Sequence, residues 1–237
     1  MENNYNLVET ANSLFDRHHF ISVNDPLQPI NGKEKYRSHY THSEELKEYF
    51  RTTFNDKGNH TLEGYEGSVA LTEFVIDIDI DDKKKKEELV LSLIRVRKFL
   101  TALRDDFNVD LNQLRINFSG SKGFHVRFDQ QMFGGFEPSV SLPYLTRELA
   151  VLLSEGIIDV DKCVYDRTRL MRVINSYNKK GKRYAIPLTH EEVFSLKIDD
   201  IVALAKKPQD FKYDTSIVIT PCQRLVELKE KVMNEYV

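Results

Sequence analysis

The sequence predicts an α+β fold in which a mostly antiparallel sheet is backed by helices on one face. Residues 74–82 alternate apolar and acidic side chains, which is the pattern of a strand. Residues 83–107 carry apolar side chains at steps of three and four, which predicts one long amphipathic helix. Two short apolar strands, 114–118 and 124–128, follow and are joined by a glycine-containing loop. Because helices cover only one face of such a sheet, the other face is available to a ligand.

The remaining elements complete this order along the chain. The pattern predicts helices over 4–17, 41–54, 143–154 and 223–237, a full extent of 68–80 for the acidic strand, and a hairpin with strands 169–177 and 182–188. Capping-box spacing marks two helix starts, at Thr41 with Glu44 and at Thr189 with Glu192. The loop 55–68 is the expected boundary between two lobes, residues 1–70 and residues 71–237.

Composition limits the possible functions. A chain of 237 residues with 41% hydrophobic residues can bury a sizeable core. The formal net charge of -3 does not indicate wholesale electrostatic binding to nucleic acid, so phosphate contacts must come from local basic clusters. Cys163 and Cys222 are the only cysteines, which excludes a four-cysteine zinc site and a disulfide framework. No leader or membrane span is recognisable, so we expect a cytoplasmic, intracellular protein with no membrane partner.

The acidic strand is the most informative segment. Asp77, Asp79 and Asp81 share one face of the strand, at intervals of about 7 Å. Ionised carboxylates this close repel each other, and a bound Mg²⁺ or Mn²⁺ would remove the repulsion. Two-metal sites, with ions about 3.5 to 4 Å apart, are bridged by carboxylates of this kind. The alternative is an edge strand that exposes acid to discourage pairing with other chains.

A second segment, Ser119 to Arg127, has the chemistry of a phosphate-binding loop. Its glycines allow the backbone to approach an anion closely, Lys122 supplies positive charge, and Ser119 and Ser121 supply hydroxyls. The spacing is not that of a Walker A loop. In the next strand, His125 and Arg127 share one face. We therefore expect both side chains to face the same cleft as the loop.

A third segment, Asp159 to Arg172, combines acids with arginines. Either Asp159 or Asp161 would serve as a third metal ligand, and the two share strand parity. Arg167, Arg169 and Arg172 offer guanidinium groups suited to phosphate oxygens. The alternative is that these arginines pair with nearby acids on the surface.

Other clusters carry weaker signals. The basic turn of Lys179, Lys180, Lys182 and Arg183 either follows a nucleic-acid backbone or keeps a hairpin tip soluble. His39 and His42 are three residues apart, but no matching cysteines or histidines complete a zinc site.

The three segments in this order resemble the archaeo-eukaryotic primase superfamily. More narrowly, they resemble the primase-polymerases found in eukaryotes, plasmids, phages and CRISPR-associated operons. The residues that match the three family motifs are Asp77 and Asp79, then Ser119, Lys122 and His125, then Asp161. The third match continues through the spaced arginines into the lysine-rich turn, so the motifs cover residues 74–188.

The resemblance implies a two-lobed catalytic domain, with a small amino-terminal α/β lobe and an RRM-like sheet. It implies DNA-template-dependent nucleotidyl transfer by two Mg²⁺ or Mn²⁺ ions, held by Asp77, Asp79 and Asp161. The residues expected to bind the NTP or dNTP are Ser119, Ser121, Lys122, Gly123, His125, Arg169 and Arg172. Those expected to contact the single-stranded DNA template or primer are Arg127, Arg167, Lys179 and Lys180. A helicase, or CRISPR or replication proteins, would act in trans.

Two alternatives to a primase stay open. The first is a gap-filling polymerase of the end-joining type, which only extends primers. The second is a catalytically silent relative that binds single strands on its sheet. The three acids and the phosphate-binding loop favour an enzyme over a silent relative, and an assay with and without a primer separates the two enzymes.

Overall fold

The structure is a computed structural model that describes residues 4–13, 15–25, 27, 31–79, 85–211 and 216–236. The strands are β1 (Leu7–Ala11), β2 (His19–Ser22), β3 (Tyr36–Ser38), β4 (Tyr40–Thr41), β5 (Ala70–Leu71), β6 (Glu73–Ile78), β7 (Arg115–Phe118), β8 (Phe124–Asp129), β9 (Leu170–Arg172), β10 (Tyr177–Asn178), β11 (Arg183–Tyr184) and β12 (Ile186–Leu188). The α-helices are α1 (Glu44–Thr52), α2 (Lys85–Asp105), α3 (Leu142–Leu153), α4 (His190–Ser195), α5 (Ile198–Leu204) and α6 (Gln223–Tyr236). Short 3-10 helices cover Leu111–Gln113, Gln130–Phe133 and Lys162–Tyr165. Within these ranges, no helix is long and apolar enough to cross a membrane.

The central sheet has the strand order β12-β7-β8-β6, and every neighbouring pair is antiparallel. The register pairs Ile76 with Val126 and Val126 with Ile116, so the apolar side chains of three strands share one face. That face and α2 belong to the same core, in which Val96 and Leu100 of α2 are fully buried. The predicted α+β fold, with an antiparallel sheet backed by helices, is confirmed.

The opposite face of the central sheet carries polar side chains. The register places Asp77 beside His125 and His125 beside Asn117. One step along the same face, Arg127 lies opposite Arg115. Because side chains alternate between faces with a period of two, the residues that the sequence analysis selected on β6 and β8 lie together on this polar face.

The amino-terminal sheet has the order β2-β1-β3-β9 and is also antiparallel. The helix predicted over 4–17 is therefore wrong. β1 is paired on both sides, and all five of its residues are buried. β-branched Val8 and Thr10 suit a strand, and the buried carboxylate of Glu9 is held by Arg17 at 3.1 Å. β9 joins this sheet from the second half of the chain, and the division into residues 1–70 and 71–237 stays a prediction.

Two helix starts test the predicted capping boxes. The box of Thr189 and Glu192 forms ahead of α4. The box of Thr41 and Glu44 does not form, because Thr41 belongs to β4 and α1 begins behind Ser43.

The acidic strand is shorter than predicted. The predicted 68–80 consists of β5 and β6, and β6 ends at Ile78, so Asp79 follows the strand directly. Asp81 lies outside the described residues.

Candidate active site

Asp77 lies on the polar face of the central sheet beside His125. Its side chain is 18% exposed, and His125 Nε2 lies 3.5 Å from Asp77 Oδ1. This oxygen is buried and makes no hydrogen bond to any described residue. Burial, reinforced by the carboxylates of Asp79 and Asp161, raises the pKa of Asp77 to about 7. The carboxylate therefore sits where its charged form is poorly stabilised by the chain alone.

Asp79 packs over the backbone of Gly123. A Cβ added at Gly123 would lie 1.8 Å from Asp79 Oδ1 and 2.6 Å from a carbonyl oxygen of β6, so glycine is required there. Lys122 Nζ lies 3.7 Å from Asp79 Oδ2. Burial raises the pKa of Asp79, Glu88 raises it further, and Lys122 and Lys180 oppose the shift. The anionic group that packs against the backbone of Gly123 is therefore the carboxylate of Asp79.

Asp161 reaches the site from the N-terminus of the third 3-10 helix. It accepts a hydrogen bond from Cys163 N at 3.0 Å, as an N-cap does. The hydroxyl of Tyr165 in the same helix donates to a carbonyl oxygen of β6 at 2.9 Å, which fixes the helix against the acidic strand. Arg169 Nη2 lies 3.8 Å from Asp161 Oδ2 and also lowers the pKa of Asp77. The strand parity that was assumed for Asp159 and Asp161 does not apply, because Asp161 caps a 3-10 helix, whereas its approach to the acidic strand is present.

The donor set of these three carboxylates suits a hard divalent cation such as Mg²⁺ or Mn²⁺. In the described part of the chain, no three His, Cys, Asp or Glu side chains stand close enough together to hold one ion. Asp79 and Asp161 are 39% and 51% exposed and lie near their cationic neighbours at 3.7 and 3.8 Å, so both can turn. The buried oxygen of Asp77 without a hydrogen bond is the donor that a cation would satisfy. The residues therefore fit a divalent ion in chemistry.

The Ser119 to Gly123 loop is a tight turn that closes on its own serine. Ser119 Oγ accepts hydrogen bonds from Gly123 N at 3.2 Å and from Ser121 N at 3.4 Å. Ser119 N also donates to Gly123 O at 2.9 Å. In this conformation the hydroxyl supports the shape of the loop.

The hairpin of β10 and β11 holds this loop from outside. Asn178 Nδ2 donates to Ser119 O at 3.1 Å, and Arg183 Nη2 donates to another carbonyl oxygen of the loop at 3.2 Å. A Cβ at Gly181 would lie 1.9 Å from the carbonyl oxygen of Gly120, so the tip of the hairpin packs directly on the loop. The basic turn is therefore part of the site.

His125 is a neutral hydrogen-bond donor held in one orientation. Burial, together with the positive charges of Arg127 and Arg172, lowers its pKa to about 3. Asn117 Oδ1 accepts from Arg127 Nε at 3.0 Å, which orients the amide so that Nδ2 donates to His125 Nδ1 at 3.3 Å. Because Nδ1 accepts, this network assigns the ring proton to Nε2, the nitrogen beside Asp77. The imidazole therefore presents an N–H to the site.

Comparisons with known proteins bear on this geometry. No protein-family model matches the sequence. The DNA primase small subunit PriS of Methanopyrus kandleri is 28% identical over 170 residues, covering 61% of this chain and 56% of that protein. The chain thus spans little more than half the length of this relative. The polymerase domain of Mycobacterium tuberculosis ligase D in complex with DNA is similar in structure with a TM-score of 0.44 and 14% identity, over 85% of this chain and 82% of that chain.

The match to a primase small subunit agrees with the three ordered motifs. This similarity supports a relationship to the archaeo-eukaryotic primase superfamily. The structure brings together the acids of its first and third motifs, Asp77 and Asp161, within electrostatic range of each other. The second motif lies beside them through His125 and Lys122.

Two arginines that the primase resemblance selected lie in internal networks. Arg127 is 8% exposed, pairs with Glu73 and donates to Arg172 O at 3.2 Å. Arg172 is 13% exposed, pairs with Glu34 at 3.4 Å and donates to the hydroxyl of Tyr36 at 2.6 Å. Its guanidinium also stacks over the Tyr36 ring at 4.6 Å. The burial of Arg127 argues against the predicted contact with nucleic acid, and Arg172 reaches a nucleotide only if these contacts change.

Three further residues were predicted to contact nucleic acid. Lys180 is exposed, and its charge acts on Asp79. Arg167 and Lys179 differ from each other. Arg167 donates to the carbonyl oxygens of Tyr65, at 3.5 Å, and Val140, so it ties two chain segments together. Lys179 pairs with Glu34 at 3.3 Å but remains 67% exposed. Of the two, only Lys179 is presented to solvent in this arrangement.

Sequence reasoning missed two residues of the candidate site. Asn117 orients His125, and the register of the two predicted strands would have placed it there. Glu88 lies near Asp79 and is 9% exposed, but nothing in the sequence separates it from other acids on α2. Asp159, the alternative to Asp161, is exposed in the preceding loop.

Proposed function

We propose that this chain is a DNA-template-dependent primase-polymerase. It transfers a nucleotide from an NTP or dNTP to a 3′-hydroxyl, making or extending primers on single-stranded DNA. One observation carries the proposal: carboxylates from separate elements converge beside a basic loop, and the most buried of them has an oxygen without a hydrogen bond. Such a perturbed cluster of acids is typical of a functional site. The relative's function as a DNA primase small subunit supports the same activity.

Asp77, Asp79 and Asp161 would hold two divalent ions. When bound, Mg²⁺ or Mn²⁺ would activate the attacking 3′-hydroxyl and balance the charge on the α-phosphate and the leaving pyrophosphate. The role of the protein is to position the three carboxylates. The register of β6 fixes Asp77, the missing side chain of Gly123 leaves space for Asp79, and the helix cap holds Asp161.

The triphosphate would lie along the loop and its supporting hairpin. His125 would donate through Nε2 to a phosphate oxygen, which a neutral ring with its proton on that nitrogen can do. Lys122 and Lys180 supply the positive charge near Asp79. Arg169, 45% exposed beside Asp161, can turn towards a phosphate oxygen.

Template and primer phosphates would contact the exposed part of the basic turn, where Lys179 reaches solvent. Contacts of this kind release counterions from the nucleic acid, so binding should weaken as salt rises.

The test is incubation of the protein with unprimed single-stranded DNA, labelled nucleotides and Mn²⁺ or Mg²⁺, followed by a denaturing gel. A parallel series adds an annealed primer. The variant Asp77→Ala, Asp79→Ala should lose all products. The control Asp105→Ala, Asp106→Ala removes two exposed acids at the end of α2 and should keep them.

The series separates the possible outcomes. Products on the unprimed template establish priming and rank NTPs against dNTPs. Extension only with a primer establishes a polymerase that does not start chains. Full activity in the Asp77→Ala, Asp79→Ala variant would refute the assignment of the acids. Absence of product from the wild type in both series would refute the proposed nucleotidyl-transfer activity.

A further inference from the structure

A cavity of about 320 Å³ lies between the polar face of the central sheet and the amino-terminal sheet. The central sheet contributes Glu73, Arg115 and Arg127 to its wall, and the amino-terminal sheet contributes Arg37 and Arg172. Glu73 stands four residues before Asp77 on the same face of β6, which is about 13 Å along the strand. The Glu73 end of the cavity therefore lies away from the cluster of acids, whereas Arg127 and Arg172 adjoin His125.

Positive charge exceeds negative charge around this cavity. Among the described residues of its wall, Glu73 is the single acid, and it pairs with Arg127 and, at 3.3 Å, with Arg115. Arg172 has its own counter-ion outside the wall, Glu34 at 3.4 Å. In this described part, four guanidinium groups thus face two carboxylates. This balance leaves the cavity with a surplus of positive charge.

Arg37 contributes to this positive charge and has an unsatisfied hydrogen-bond donor. Its Nε is buried and makes no hydrogen bond to the described residues. Burial lowers the pKa of Arg37, and the neighbouring Arg115 and Arg127 lower it further, against the attraction of Glu73. An unsatisfied guanidinium donor away from water is costly, and an anion in the cavity would satisfy it.

We propose that this cavity binds a phosphate-type anion, of the size of inorganic phosphate or pyrophosphate. Arginine is the side chain best suited to phosphate oxygens, because its donors form a planar fork. Glu73 orients Arg115 and Arg127 on one wall, and Arg37 closes the site from the other sheet. The choice of pyrophosphate as occupant rests on the proposed function, since nucleotidyl transfer releases it on the same face. The anion site itself is argued from the cavity alone.

The test measures binding of inorganic pyrophosphate by calorimetry, in EDTA and low salt, with no nucleic acid or nucleotide present. Inorganic phosphate and a nucleoside triphosphate are titrated separately, to separate a released product from the tail of a substrate. Arg37→Gln and Arg115→Gln remove one guanidinium from each wall. Arg51→Gln on the exposed face of α1 is the control, Lys122→Gln reports any binding at the Ser119 to Gly123 loop, and thermal unfolding checks the fold of each variant.

The expected result is saturable pyrophosphate binding that weakens at least tenfold in Arg37→Gln and several-fold in Arg115→Gln, with little change in Arg51→Gln. Unchanged binding in both arginine variants would overturn the proposal, as would loss of binding in Lys122→Gln alone. Tight binding of the triphosphate but not of pyrophosphate would overturn the choice of occupant. Because no transfer reaction is involved, failure here is distinct from failure of the proposed activity.

Discussion

Replacement of Asp77 by Asn should stabilise the metal-free protein. The side chain is 18% exposed, and its pKa is raised from 3.8 to about 7 by burial and by Asp79 and Asp161. Asn has the same shape and carries no charge, so Asp77→Asn removes the repulsion while keeping the packing. The variant should also lose nucleotide incorporation, because a carboxylate ligand is lost.

The size of the effect follows from the two pKa values. In the folded state the carboxyl keeps its proton up to about pH 7, whereas in the unfolded chain it loses it near 3.8. The folded state therefore binds more protons between these values, and the wild type loses stability as pH rises through this window. At about 1.4 kcal/mol per pKa unit, Asp77→Asn should be more stable than the wild type by about 1 kcal/mol at pH 4.5 and about 4 kcal/mol at pH 8.

Urea unfolding in EDTA at several pH values measures this difference. Addition of Mn²⁺ at pH 8 should stabilise the wild type much more than the variant. Asp106→Asn is the control, because this exposed acid next to the end of α2 lies outside the site. The reasoning is refuted if Asp77→Asn is no more stable than the wild type at pH 8, or if the difference does not grow with pH.

Three further changes test separate parts of the site and fold. Gly123→Ala should cost about 1–3 kcal/mol of stability and most of the activity, because its Cβ would overlap the carboxylate of Asp79. In a double-mutant cycle, adding Asp79→Ala should recover part of the lost stability. Simple additivity of the two changes would contradict the contact. Asn117→Asp should move the ring proton of His125 to Nδ1 and lower kcat/KM about 10- to 100-fold, with a raised His125 pKa by NMR; wild-type kinetics would contradict the tautomer. His42 is buried, and its pKa is lowered to about 4, so the unfolded state gains the proton as pH falls below 6.5 and the contribution of His42 to stability should drop by about 2 kcal/mol by pH 5. That loss should be measured by urea unfolding in the Asp77→Asn background, where the opposing contribution of Asp77 is absent, and it should shrink in His42→Gln.

Local patterns were enough to predict the central sheet and the position of its acids. The alternation in residues 74–79 and the short loop before His125 fix which side chains share a face, and the structure keeps both. The first strand was missed because the buried Glu9 is stabilised by Arg17, a contact that no local pattern reports. The burial of Arg127, which was predicted to contact nucleic acid, was missed for the same reason. Its partner Glu73 lies 54 positions earlier in the chain. The sequence alone does not show which arginine is buried against such a distant acid.

The contact between Asp79 and Lys122 shows how ligands at this site would be coupled. In the absence of ligands the carboxylate and the ammonium lie 3.7 Å apart and lower the cost of each other's charge. A phosphate group that draws Lys122 away leaves Asp79 with a poorly stabilised charge, and a cation beside Asp79 in turn releases Lys122. Each ligand would therefore raise the affinity for the other, and by thermodynamic linkage the two factors would be equal. The same loop that lowers the cost of burying the acids in the free protein would thus favour binding of ion and nucleotide together over binding of either alone.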